Sequence, residues 1–187
     1  MSVKIIPKNA LKSWIAKLKE NDYRIVGPVS KHGQYVFADI DNIEALELDY
    51  PTTVLPPKKY LLPQREELFS FNTKTLDMKE TIEVIPTVIF GVHTCDLHAL
   101  KLLDRVNDTG YVDQHYQARR AETYIVSIEC LKPCMEHSFC KSMGTLTTPE
   151  HFDIHLTDLG ESYAIEVGSE KGERLLEGCS SIWDSTE

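Results

Sequence analysis

No apolar run in this sequence approaches the ~20 residues needed to cross a bilayer. Residues 1–10 carry no apolar stretch of signal-peptide type. The expectation is a cytoplasmic protein without membrane insertion. Cationic excess is also missing: 20 Lys and Arg face 29 Asp and Glu, a formal net charge of −9. A phosphate backbone calls for a basic face, so a nucleic-acid partner is not expected. There is no internal repeat, no low-complexity segment and no Gly-x-Gly-x-x-Gly or phosphate loop, hence no sign of a nucleotide site. No nucleophile and base stand at a diagnostic spacing. Cysteine is sparse, with five in 187 residues. In a reducing cytosol, clustered cysteines act as ligands or catalysts more often than as disulfides.

What is present is an ordinary globular composition, 42% hydrophobic and 26% charged, long enough to bury a core without staples. It fits one α/β domain over residues 1–187: a mixed sheet with a βαβ unit around the cysteines, plus peripheral hairpins and helices. Residues 8–21 read as an amphipathic helix, with Leu11, Trp14, Ile15 and Leu18 on one face. Residues 23–29 and 34–40 read as a hairpin around Lys31, His32 and Gly33, with His32 a solvated turn residue. Pro51, Pro56, Pro57 and Pro63 make residues 46–62 an irregular surface segment. A short helix is expected after Pro63, with Glu66 and Glu67 in its first turn. Lys58 and Lys59 are either snorkelling loop cations or face an anion. Residues 72–83 read as a loop or edge strand.

Residues 84–92 are apolar without alternation, as in a strand buried on both faces, and Pro86 marks its start. Residues 96–106 predict a helix, with Leu97, Leu100, Leu103 and Val106 in a stripe and Asp96 or Thr94 as its cap. Cys95 then lies at a helix N-terminus, where thiolate is favoured. Residues 113–121 predict a short helix bearing Arg119 and Arg120, and residues 123–128 a second buried strand. Strand, helix and strand make a βαβ unit with parallel pairing, whose functional groups collect at the carboxyl ends of the strands. A further hairpin surrounds residues 158–161, and Ser169 caps a last helix ending near Gly178. The tail, residues 180–187, is polar and carries no evident element.

The residues that organise the chain lie in segment 86–144, which holds Cys95, Cys130, Cys134 and Cys140. Two neighbouring strand ends would bring these thiols together as cofactor-binding and metal ligands. Cys179 is left over. The spacing Cys-x3-Cys-x5-Cys matches neither paired zinc knuckles nor a short ferredoxin run. All-thiolate coordination suits an iron–sulfur cluster and zinc equally, so the residues alone leave both open. His93 and His137 flank the cysteines, as replacement ligands or hydrogen-bonding neighbours. A thiol enzyme using Cys95 as nucleophile remains a third reading.

The strings LPPKKYLLPQRE, IFGVHTCDLHAL, YQARR and FCKSMG together resemble one family. It comprises the beta-type electron-transfer subunits of hydrogenase and sulfhydrogenase complexes and the related A-type component of anaerobic sulfite reductase. The similarity runs from about Leu55 to Leu176. It implies a non-catalytic electron-transfer component of a cytoplasmic oxidoreductase, with other redox subunits as partners. It also implies a [4Fe–4S] cluster on Cys95 and the cysteines of the 130–140 segment. Where family members read Cys-Phe-Cys, this chain has Ser138, Phe139 and Cys140, and Cys134 is the residue available to replace the missing ligand. The family's C-terminal ferredoxin-like two-cluster module has no counterpart in this sequence. Arg119 and Arg120 are expected to stabilise the cluster, dock a partner or form surface ion pairs.

Overall fold

The computed structural model describes residues 3–148, 150–179 and 181–184. Its strands are β1 (Lys4–Pro7), β2 (Arg24–Lys31), β3 (Gln34–Asp39), β4 (Phe69–Phe71), β5 (Met78–Glu80), β6 (Thr87–His93), β7 (Thr123–Ile128), β8 (Ile154–Asp158), β9 (Ser162–Val167) and β10 (Trp183–Asp184). Its helices are α1 (Leu11–Glu20), α2 (Thr94–Asn107), α3 (Gln114–Ala121) and α4 (Glu170–Leu176). Eight strands form one sheet in the order β10-β1-β9-β8-β7-β6-β2-β3. The inner four, β2, β6, β7 and β8, are parallel to one another. Antiparallel strands flank them on both sides. The mixed α/β architecture and the βαβ unit β6–α2–α3–β7 are as the sequence predicts.

Every residue of β6 and of β7 is buried, because helices cover both faces of the sheet. Trp14, Ile15 and Leu18 of α1 and Leu175 and Leu176 of α4 pack on one face, with Val88, Phe90 and Val126. Trp14 meets Phe90 edge-on at 5.2 Å, a pairing worth ~0.5–1.5 kcal/mol beyond burial. Its indole N–H donates to Leu175 O at 2.7 Å, which ties α1 to α4. Leu97, Leu100 and Tyr116 cover the other face over Ile89, Val92 and Ile125.

One irregularity positions the site. The β6–β7 register shifts between Phe90 and Val92, at Gly91. Gly91 has φ +75, and a Cβ there would press on Leu48 and Pro28 at 3.0–3.1 Å. Only glycine suits such a bulge. Its effect is a change of parity: Val92 joins Ile89 on the α2 face instead of Phe90 on the α1 face.

Several local expectations need correction. Residues after Pro63 form no helix; the single turn in this region is a 3-10 turn, Pro57–Tyr60. Closely spaced prolines leave few N–H groups for a ladder. The loop or edge strand expected over residues 72–83 is present: β5 lies there, paired to β4 as a separate two-stranded hairpin. Val106 ends the predicted stripe but is exposed, since α2 outruns the sheet there. In the tail, Trp183 and Asp184 pair with β1, whereas Ser180 and residues 185–187 lie outside the described residues. His32, with φ 52, is the exposed turn residue expected. Among the described residues no helix is long and apolar enough to cross a membrane.

Candidate metal centre

Parallel strands need a crossover. Between β7 and β8 that crossover is residues 129–153, which contain no helix or strand among the described residues. Structureless connections of this length are uncommon and usually functional. This one carries Cys130, Cys134 and Cys140. His93, the last residue of β6, is paired with Ile128, the last of β7. The next turn of chain on each strand therefore brings Cys95 and Cys130 to adjoining carboxyl ends.

Cys95, Cys130, Cys134 and Cys140 line a single cavity of about 220 Å³. Leu131, Pro133 and Leu146 supply its apolar wall, and Ser138, Lys132 and Lys141 also border it. All four thiols are free. Cys179 is also free and packs partly against the α1 face of the core, away from that cavity. Among the described residues, no group of three or more His, Cys, Asp or Glu is placed to hold a metal ion.

The electrostatics correct one expectation. Cys95 is the second residue of α2, yet its thiol is pushed up to about 12, by burial first and then by Asp96 and the other three cysteines. The residue as a whole is nevertheless exposed. Burial likewise raises Cys130 and Cys134. Burial and nearby like charge both disfavour the thiolate here. Asp96 is raised to about 6 by burial, with Lys58 opposing.

The capping expectation also fails. His93 occupies the N-cap of α2 without a side-chain cap. The Thr94 hydroxyl instead points to Cys130 Sγ at 3.8 Å. His93 is buried and stacked on Tyr50 at 4.1 Å, and burial lowers it to about 4, so it is neutral. His137 is exposed. Neither histidine lines the thiol cavity.

The arginines lie elsewhere. Arg119 donates to Leu61 O at 2.9 Å and pairs with Glu66. Arg120 pairs with Asp104 at 3.1 Å. Both sit at the end of α3 leading into β7, at the amino ends of the parallel strands, away from the cysteines. Their role is the ion-pair one. Lys59 donates to Phe37 O at 2.7 Å, consistent with a loop cation tied to the backbone.

Sequence reasoning missed a polar row behind Cys130. Ser127, Glu129, Thr148 and His155 are joined by hydrogen bonds. Two signals were available: a serine inside the apolar strand 123–128, and a histidine at an apolar position of β8.

No family model and no solved structure matches the chain. It is similar to Sulfhydrogenase 2 subunit beta of Pyrococcus furiosus, 37% identical over 164 residues. That alignment covers 86% of this chain and 47% of the relative. The chain thus spans about half the relative's length.

Proposed function

We propose that this chain is an iron–sulfur electron-transfer domain of a hydrogenase-type oxidoreductase, with Cys95, Cys130, Cys134 and Cys140 as ligands of one [4Fe–4S] cluster. One observation carries the reading: four thiols from two adjacent strand ends and one long loop border the same cavity. When bound, such a cluster accepts and releases single electrons. The donor set fits it. Four soft sulfur donors suit iron–sulfur chemistry. Thiols crowded enough to raise one another's pKa ionise together only beside a strong positive charge, and metal binding drives that deprotonation. Pro133, Leu131 and Leu146 keep the surroundings apolar, and the buried ends of β6 and β7 hold two ligands rigidly.

The relative's name supports a place in a multi-subunit complex, with other redox subunits as partners. In this reading residues 1–187 are one α/β domain whose centre-bearing segment is 86–144, without substrate chemistry of its own. A Cys95 nucleophile would need a lowered pKa, and the shift runs the other way. In metal-free protein Cys95 is therefore expected to alkylate at pH 7 far more slowly than a peptide cysteine. Rapid, selective alkylation at that pH would favour the thiol-enzyme reading instead.

The deciding experiment is anaerobic reconstitution with iron and sulfide, followed by iron and acid-labile sulfide counting. A brown protein with the composition of a [4Fe–4S] cluster is expected. Cys95→Ser, Cys130→Ser and Cys140→Ser should each abolish incorporation, and Cys179→Ser should not. A colourless protein holding stoichiometric zinc would overturn the proposal.

A further inference from the structure

The polar row behind Cys130 has no part in ligation, yet it ends on a ligand. Ser127 of β7 and His155 of β8 are register partners and are 0% and 5% exposed. Ser127 Oγ lies 2.8 Å from His155 Nδ1 and 3.2 Å from Ile154 O. Across the ring, His155 Nε2 lies 3.0 Å from Glu129 Oε2. The Thr148 hydroxyl donates to that same oxygen at 3.2 Å. The other carboxylate oxygen, Oε1, accepts the Cys130 N–H at 3.1 Å. A carboxylate accepts, so Nε2 is the protonated nitrogen and Nδ1 faces the serine hydroxyl. With both ring nitrogens engaged, the imidazole cannot turn, and Glu129 is fixed in turn.

We infer that His155 is a positioning residue for the thiol centre: it locks Glu129 onto the Cys130 N–H and keeps a carboxylate beside the cavity. The electronic consequence rests on the cluster reading above. Hydrogen bonds to sulfur and nearby charge are two levers on a cluster's potential. Here the carboxylate occupies the Cys130 N–H, and so withholds it from sulfur, while placing negative charge near the cluster. Both effects disfavour the added electron, so the row holds the potential down. Without His155 the half-buried Glu129 is free to swing to water, the N–H is released, and the potential rises.

The test uses the full chain with His155→Leu, His155→Gln and Glu129→Gln, read in two ways. In metal-free protein, exchange of the Cys130 amide, followed by NMR, should accelerate roughly tenfold in His155→Leu, as for loss of one net hydrogen bond. His155→Gln retains a donor towards Glu129 and should stay near wild type. In reconstituted protein, EPR-monitored redox titration should show a higher midpoint for His155→Leu and Glu129→Gln, again with His155→Gln near wild type. Should His155→Leu fail to fold, Glu129→Gln, altered on the loop, carries the midpoint measurement alone. An assembled cluster with an unchanged midpoint in His155→Leu and Glu129→Gln overturns this inference and leaves the cluster reading standing. Failure of the wild-type chain to assemble any cluster overturns the cluster reading and, with it, this one.

Discussion

The two ends of the parallel strands differ in what their polar groups are given to do. At the amino ends lies the larger cavity, about 530 Å³, bordered by Arg24, Thr87 and Thr123, the first residues of β2, β6 and β7. Two of its arginines are answered within the chain: Arg24 by Asp39 at 2.5 Å, and Arg119 by Glu66 and Leu61 O. At the carboxyl ends a cavity less than half that size is bordered by four thiols, and burial raises three of them, Cys95, Cys130 and Cys134. Volume is therefore the poorer guide. A charged group closed by its own partners contributes to stability, whereas groups that crowd one another call for something from outside.

The largest expected effects separate the two ends by readout. Cys130→Ser should remove all reconstituted iron while leaving the thermal midpoint of metal-free protein nearly unchanged. Arg119→Ala with Arg120→Ala should do the reverse, lowering the midpoint and leaving iron content at wild-type level. Loss of iron in the arginine variant would show that the ends are coupled.

Gly172→Ala comes next. A Cβ there would fall inside the van der Waals radius of Asp153 O. Asp153 itself accepts from Ile125 N at 2.7 Å and from the Ser169 hydroxyl at 2.5 Å, so the backbone is held in place. A cost at or above the ~1–3 kcal/mol of overpacking is expected in denaturant unfolding. A cost near zero would mean that α4 shifts freely on the sheet.

Asp104→Asn should cost about 2–3 kcal/mol, because charged hydrogen bonds are lost or weakened. Asp104 accepts from Tyr116 at 2.6 Å and from His151 at 2.5 Å, and pairs with Arg120. Burial pushes its pKa up, but the bonds from His151 and Tyr116, together with Arg120, outweigh that and bring it down to about 2. A depressed carboxylate gives its stability above the unfolded value and loses it as pH falls through the folded one. This contribution is therefore complete above pH 3.8 and fades towards about pH 2. In Asp104→Asn that part of the acid leg should be missing from the stability profile. The smallest effect belongs to the carboxyl end. Lys132 and Asp49 pair at 2.8 Å with both side chains 74% exposed, and Lys132→Ala should leave the melting temperature unchanged.

Much of the sheet was legible. Segments 84–92 and 123–128 are apolar without alternation, which only a doubly covered strand tolerates. The stripe of Leu11, Trp14, Ile15 and Leu18 named the core-facing side of α1: the last three are buried and Leu11 is partly buried against the same cluster. Elements that depend on distant partners were not legible. β1 is four residues long and pairs with β9 and β10, more than 150 positions away. Asp104 becomes a hub only because the crossover loop returns His151 to it. Thr94 looked like a cap, but its hydroxyl faces Cys130 Sγ, which no local rule anticipates.

Alone, the sequence determined that apolar runs would lie at the centre of a parallel sheet and that thiols would emerge at their carboxyl ends, because hydrophobic period and strand polarity are local properties. Only the tertiary structure decided that a bulge at Gly91 resets the last residues of β6, and that Cys134 and Cys140 fold back to the same cavity. Those outcomes depend on register and loop closure, which arise when segments far apart in the chain pack together.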